Sequence, residues 1–145
     1  MRLHFTLHQK SALIIMEKFQ QQQIGFIKGR LRGIQIALKG MWQLIRSEDS
    51  IKAQLVIALG VSLAGVYFQI SSTEWLFQCS IIGLVLVAES LNTAIEEMAD
   101  FTHPAFHSKI GSIKDIAAGA VSFAALTATI IAGIIYFPKI AILFQ

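Results

Sequence analysis

WLFQCSIIGLVLVAESLNTAIEEMAD, residues 75–100, joins an uncharged run to an acidic ladder that begins at Glu89 and ends at Asp100. If both parts form one helix, four polar side chains recur at steps of three, four and four and share one stripe: Glu89, Asn92, Glu96 and Asp100. Glu97 lies outside that stripe, and we expect its side chain to be solvated. The junction at Glu89 therefore carries the functional information.

Glu89 lies at an unusual depth for a carboxylate. At about 1.5 Å per residue it is roughly 21 Å beyond Trp75, still inside a hydrocarbon layer about 30 Å thick. A carboxylate there costs on the order of 2.5–3.5 kcal/mol on insertion scales. We therefore expect Glu89 to have a partner or a function, whereas Glu96 and Asp100 emerge toward water.

The composition excludes an ordinary soluble domain. Of the 145 residues, 54% are hydrophobic and only 14% are charged, which is typical of integral membrane proteins. Three stretches are apolar enough to span a bilayer: 53–70, 75–95 and 116–137. We predict an all-α membrane protein with three transmembrane helices preceded by an amphipathic surface helix.

The predicted organisation has two parts. Residues 1–24 form a flexible N-terminal extension, and residues 25–145 form one membrane domain with a surface helix over 25–46, in which apolar residues recur at three and four. The spanning helices are predicted over about 48–70, 73–100 and 113–137, with a break at Pro104. Their N-terminal caps are predicted from paired polar residues: Ser47 with Glu48 and Asp49, Ser71 with Glu74, and Ser112 with Asp115.

Basic residues predict the topology. Nine of the twelve Lys and Arg residues precede Ala53, and two more, Lys109 and Lys114, lie between the second and third spans. The positive-inside rule places these regions, and with them the acidic ladder, on the cytoplasmic side and the C-terminus outside. The basic residues would meet lipid headgroups or phosphates, so the net charge of +3 requires no nucleic-acid partner.

This topology brings three polar clusters to one membrane surface. Glu48 precedes the first span, the acidic ladder ends the second, and Lys114 with Asp115 precedes the third. Carboxylates of Glu48 and Glu96 suit Mg²⁺, which favours one or two carboxylates plus substrate phosphates. Lys114 is placed to neutralise phosphate oxygens, and the deeper Glu89 to accept a proton from a hydroxyl.

The same residues resemble a known family. The string from Glu89 to Asp100 is similar to the signature of the bacterial integral-membrane diacylglycerol kinases and their undecaprenol kinase relatives. A second motif, Lys114-Asp-Ile-Ala-Ala-Gly-Ala-Val121, stands at the family's usual offset. The resemblance extends from about Arg30 to Phe137. It implies a bacterial inner-membrane enzyme that uses ATP and Mg²⁺ to phosphorylate diacylglycerol or undecaprenol, and a homotrimeric helical bundle with active sites shared between protomers.

The resemblance also implies residue roles. Glu89 is the general base, Glu48 and Glu96 are the metal-bridging carboxylates, and Asn92 is an orienting group. Lys114 meets the nucleotide phosphates, and Asp100 and Asp115 contact the nucleoside. Arg30 matches the family's N-terminal basic position, for which Lys28 and Arg32 compete. Lys52 and Gln54 depart from the family, whose members usually carry an arginine-type residue and a Glu or His there.

Two other functions fit parts of the pattern. An intramembrane carboxylate is the usual mark of a proton or ion pathway, although here the polar groups cluster at one surface together with a lysine. A non-catalytic assembly subunit would use the acidic ladder only to bind a partner. His103 and His107 have the spacing of a metal pair, but Pro104 disrupts the helix that would align them. The sequence contains no glycine-rich phosphate loop.

Overall fold

The computed structural model describes the backbone of residues 2–105 and 107–144, and the side chains of Met16 and of residues 25–105 and 107–144. The chain divides into two compact units, residues 1–43 and 44–145. Over the described backbone there are four helices and no strand: α1 (Arg2–Ser47), α2 (Asp49–Tyr67), α3 (Ser72–Thr102) and α4 (Ser108–Ile142). The last three are long and apolar enough to cross a membrane. The predicted all-α membrane fold is confirmed.

Helix α1 is longer than the predicted surface helix. It begins at Arg2 rather than at residue 25, and it continues through the polar tract Gln20–Gln23. Glutamine is a good helix former, and the tract contains neither glycine nor proline, so nothing in it interrupts the backbone. The division of the chain into an extension over 1–24 and a membrane domain over 25–145 stays a prediction.

The connection between α2 and α3 is a tight turn with a cap on each side. Helix α2 ends in a Schellman motif, in which the backbone N–H of Ile70 donates to Gly65 and that of Gln69 donates to Val66. Gln69 takes the left-handed conformation, with φ of 50°. Helix α3 then begins with the predicted capping box, because Ser71 Oγ accepts from the Glu74 N–H at 3.3 Å and Glu74 Oε2 accepts from the Ser71 N–H at 2.7 Å.

The other two predicted caps were wrong. Ser47 is the last residue of α1, and Glu48 occupies the N-cap of α2 without a side-chain capping bond. Helix α4 begins at Ser108, before residue 112, because His107 Nδ1 accepts from the Lys109 N–H at 3.2 Å and caps the helix there. The predicted break at Pro104 is confirmed, since α3 ends at Thr102.

Helix α4 also extends past its predicted end. It runs through Pro138 to Ile142. Proline removes one backbone donor and clashes with the preceding turn, but here it lies in the final turns of the helix, where Lys139 reaches Glu74 of α3 with Nζ and Oε1 3.2 Å apart. The ion pair fastens the last turns of α4 to the first turn of α3.

Helix α3 is central in the second unit and runs antiparallel to both neighbours. In the most apolar 18-residue stretch of each helix, 28% of the residues are buried in α3, compared with 11% in α2 and 11% in α4. Side chains of α3 contact α2 and α4 at successive levels along the helix. Among the described residues, the buried apolar side chains are all small or branched: Ile51, Ile70, Ile81, Ala99, Ala117, Ala124 and Ile135. The antiparallel order brings the start of α2, the end of α3 and the start of α4 to the same end of the unit.

Candidate functional site

Glu89 is buried in the second half of α3. Its side chain is only 8% exposed, and its Oε2 accepts a hydrogen bond of 3.0 Å from Gln54 Nε2 on α2. The partner that the sequence requires for a buried acid is therefore a neutral amide. Gln54 Oε1 is buried and has no hydrogen-bond partner among the described side chains and backbone, so one end of the Gln54 amide is unpaired.

Asn92 and Glu96 lie one and two turns further along α3. Asn92 is also 8% exposed, and its Nδ2 donates to Glu96 Oε1 at 3.0 Å. Asn92 Oδ1 is buried without a partner. The amide thus holds one oxygen of the half-buried Glu96 carboxylate and leaves its own oxygen unpaired. The orienting role that the family resemblance implies for Asn92 stays a prediction.

The outermost residue of the stripe meets the predicted lysine. Lys114 Nζ on α4 lies 2.7 Å from Asp100 Oδ1 on α3, and both side chains are partly open to the surroundings. Asp115, the next residue on α4, is exposed. The four residues of the stripe therefore pass from buried through half-buried to exposed along α3, as the sequence predicts: Glu89, Asn92, Glu96 and Asp100.

The remaining predicted residues are less closely joined. Glu48 is half-buried at the start of α2. Within residues 44–105 and 107–144, no hydrogen bond or ion pair links Glu48 or Asp115 to the other predicted residues. Arg30 belongs to the first unit, where its guanidinium carbon lies 5.0 Å from the centre of the Phe26 ring. Asp49, which follows Glu48, pairs with Lys52 at 2.7 Å.

A cavity of about 300 Å³ lies between α2, α3 and α4, and its walls are largely apolar. Gln54 lines one end. At the other end Gln78 Nε2 donates to the Val61 carbonyl at 3.3 Å, and Tyr136 Oη lies 2.8 Å from that carbonyl and 2.5 Å from Gln78 Oε1. Sequence reasoning found none of these polar contacts. Their signal is a glutamine within an apolar span, which is costly unless it is hydrogen-bonded.

The oxygen atoms of Glu96 and Asn92 fit a hard cation such as Mg²⁺ whose other ligands come from a substrate or from water. Carboxylate and amide oxygens are what Mg²⁺ prefers, and Glu96 offers a carboxylate that Asn92 holds by only one oxygen. The unpaired Asn92 Oδ1 is a further oxygen of the same type. Among the described side chains, no group of three or more His, Cys, Asp and Glu is arranged to hold a metal. A site with one or two carboxylates therefore needs oxygens from a substrate.

Comparison with known proteins decides the class. The model of the family described as prokaryotic diacylglycerol kinase matches residues 35–136. This chain belongs to that family. The match includes every predicted site residue except Arg30, which precedes it. The resemblance inferred from the acidic ladder is confirmed, and the protein is a membrane lipid kinase with a nucleotide phosphate donor.

Two relatives carry related names. The chain is 33% identical over 102 residues to the undecaprenol kinase of Bacillus subtilis, and the aligned stretch covers 70% of this chain and 83% of that protein. It is 41% identical over 58 residues to the diacylglycerol kinase of Synechocystis sp., and this aligned stretch covers 39% of this chain but only 33% of that longer protein. The two names give two different acceptor lipids.

Proposed function

We propose that this kinase transfers the γ-phosphate of ATP, in the presence of Mg²⁺, to the hydroxyl of diacylglycerol or undecaprenol. The observation that supports this best is the graded burial along α3, from Glu89 at 8% exposure to the open Asp100–Lys114 pair. A water-soluble nucleotide requires the exposed end of such a gradient, and a lipid hydroxyl reaches the buried end from within the bilayer. One helix thereby presents groups to both substrates.

Glu89 is the proposed general base. Its carboxylate is buried and held by Gln54, so it is positioned to accept the proton of the lipid hydroxyl. The acceptor oxygen forms a bond to the γ-phosphorus, the bond from that phosphorus to the bridging oxygen breaks, and the nucleoside diphosphate leaves with the electron pair. Positioning and charge neutralisation supply most of the catalysis in phosphoryl transfer.

The nucleotide end uses the remaining residues. Glu48 and Glu96 would hold Mg²⁺, which when bound offsets the charge of the phosphate oxygens. Asn92 orients Glu96 through the bond of 3.0 Å. Lys114 would neutralise phosphate oxygens, Asp100 and Asp115 would contact the nucleoside, and Arg30 would supply a further basic group. In the free protein Asp100 keeps Lys114 in place, so nucleotide binding would replace that ion pair.

The assembly and topology are part of the proposal. At about 1.5 Å per residue, Asp100 lies roughly 16 Å along the helix from Glu89. The family resemblance, rather than this distance, supports a homotrimer in which neighbouring protomers complete each active site. The distribution of Lys and Arg supports placing the N-terminus and the active sites in the cytoplasm and the C-terminus outside the inner membrane.

The decisive experiment identifies the product. Purified protein in detergent is incubated with labelled ATP, Mg²⁺ and either undecaprenol or diacylglycerol, and the labelled lipid is identified. Undecaprenol is the first acceptor to test, because the relative named after it matches most of this chain. Label in either lipid phosphate supports the kinase proposal, and the ratio of the two rates gives the preferred acceptor. ATP-independent ion flux through liposomes, without any labelled lipid, would favour the ion pathway instead.

Glu89→Gln tests the general base. The amide retains the size of the side chain but cannot accept the proton, so we expect kcat to fall by about 10²–10⁴-fold while ATP still binds. Turnover and nucleotide binding are measured on the same purified protein. Glu97→Gln is the matched control, since Glu97 is exposed on the same helix and off the stripe. Turnover of the Glu89 variant near the wild-type rate would overturn the assignment.

A further inference from the structure

Gln54 has an unused half of its amide beside the proposed base. Its Nε2 donates to Glu89 Oε2 at 3.0 Å. Its Oε1 is buried and has no hydrogen-bond partner in the part of the chain that the structure describes. Buried polar atoms are nearly always paired, so an unpaired one next to a functional carboxylate calls for an explanation.

Gln54 as a whole is half-buried, and a buried glutamine, Gln78, provides a comparison. Gln78, 4% exposed, donates to the Val61 carbonyl and has Tyr136 Oη against its Oε1, so both ends of its amide have partners. It ties α2, α3 and α4 together at the far end of the cavity. Gln54 lines the near end of the same cavity and joins α2 to α3 through one end of its amide only.

We propose that Gln54 is a positioning residue that serves Glu89 in both of its protonation states. The inference rests on the proposed function, in which Glu89 takes the proton of the lipid hydroxyl. An ionised carboxylate only accepts hydrogen bonds, and the NH₂ group of Gln54 satisfies it. A protonated carboxyl group donates one, and Gln54 Oε1 is the free acceptor that rotation of the amide brings to it.

In the proposed step, the transferred proton and the electron pair of the broken P–O bond each have a defined destination. The O–H bond of the acceptor lipid breaks and its proton moves to Glu89, while the lipid oxygen forms its bond to the γ-phosphorus. The leaving nucleoside diphosphate keeps the electrons of the broken P–O bond. Gln54 neither gains nor loses a proton, because an amide does not titrate in this range. It changes only which of its two ends faces Glu89.

A neutral residue at this position keeps the proton on Glu89. The family resemblance places a Glu or His at position 54 in most members, and a neutral histidine likewise offers one hydrogen-bond donor and one acceptor. With Gln54, the only ionisable group of the hydrogen-bonded pair is Glu89. The departure from the family pattern is thus compatible with activity, because an amide both donates and accepts.

Three variants of the full-length protein test the role. Gln54→Met keeps the length and the apolar volume but has no hydrogen bond to a charged group, and we expect kcat to fall about ten- to a hundredfold. The KM for ATP is expected to stay within about twofold, because the nucleotide contacts are elsewhere. Gln54→His retains a donor and an acceptor and should restore kcat to within about threefold of wild type. Gln78→Met, the matched control, should lower thermal stability but leave kcat within about twofold.

The assays use Mg²⁺, ATP and whichever of undecaprenol and diacylglycerol the wild type phosphorylates. In a Glu89→Gln background, Gln54→Met should cause no further loss, because the two residues act as one unit. Wild-type kcat in Gln54→Met overturns the inference, as does an equal loss in Gln54→Met and Gln78→Met that histidine does not rescue. An active Glu89→Gln protein would instead overturn the proposed base, so the two failures are distinguishable.

Discussion

Glu89 and Glu96 lie seven residues apart on α3 but meet different surroundings. Glu89 is buried and bonded to a glutamine of the neighbouring helix, whereas Glu96 is half-buried and bonded to Asn92 of its own helix. In the proposed mechanism, a carboxylate in the first setting would exchange a proton with a lipid hydroxyl that reaches it from the bilayer. A carboxylate in the second keeps an oxygen available to a cation and its phosphate ligands.

Glu96→Gln tests the second setting. The change removes one of the two proposed carboxylate ligands, so the Mg²⁺ concentration that gives half-maximal activity should rise by at least about tenfold. Titration of Mg²⁺ at saturating ATP measures it. Glu97→Gln, one position away and exposed, should leave the Mg²⁺ requirement unchanged. An unaltered Mg²⁺ dependence in the Glu96 variant would remove this residue from the metal site.

The polar stripe of α3 was fully predictable from its spacing, and the polar residues across from it were not. Steps of three and four place Glu89, Asn92 and Glu96 on one face whatever packs there. The partner Gln54 comes from another helix, and nothing local identifies which uncharged residue of a span faces a buried acid. Neighbour identity depends on the register between helices, which is set by packing.

At the level of helices, the α2–α3 turn depends on one glycine. A Cβ on Gly65 would lie 2.9 Å from Trp75 Cη2 and 3.0 Å from Ile70 Cδ1. Both neighbours belong to the turn and to the start of α3, where the Schellman motif and the capping box hold the backbone. The glycine therefore permits the close approach of the two helices at this end.

Gly65→Ala should destabilise the protein by about 1–3 kcal/mol, because the methyl group overpacks the contact with the Trp75 ring. Gly60→Ala on the same helix is the control, since a Cβ there meets nothing within 4 Å. Thermal or denaturant unfolding in one detergent measures both. Equal stability of the two variants would show that the turn adjusts without cost.

Helix boundaries were predictable where a strong local signal exists. Ser71 with Glu74 correctly predicted the start of α3, and Pro104 its end. The same reasoning failed at Ser112, because His107 caps α4 five residues earlier. It also failed at the end of α4, where Lys139 pairs with Glu74 from a distant part of the chain. Capping residues compete with one another, and tertiary contacts decide the outcome.

For the whole molecule, the proposed homotrimer with shared active sites makes a testable prediction. Glu89→Gln and Lys114→Met subunits are each expected to be inactive. If each site takes these residues from two neighbouring protomers, one site of the three in every mixed trimer has both native residues, so the mixed trimers should regain about a third of the wild-type activity. Co-expression with two affinity tags and sequential purification isolates the mixed trimers for assay. Each variant passed through the same procedure alone is the control, and inactive mixed trimers would show that one protomer supplies both residues.

The proposed topology is testable with the single native thiol removed. In a Cys79→Ser background, the variant Thr73→Cys, in the first turn of α3, should react with a membrane-impermeant maleimide in intact cells. The variant Ser108→Cys, at the start of α4, should react only after the cells are permeabilised. Both positions are exposed, so a difference in labelling reports the side of the membrane. The reverse pattern would invert the proposed orientation.

The contact of Trp75 with Gly65 also provides an optical probe. The indole ring is half-buried against α2, and Trp42 is the only other tryptophan in the chain. After Trp42→Phe, the intrinsic fluorescence of the protein comes from a single emitter at this junction. Its emission maximum would follow separation of the α2–α3 hairpin, while phosphorylation assays follow events at the opposite ends of the same two helices.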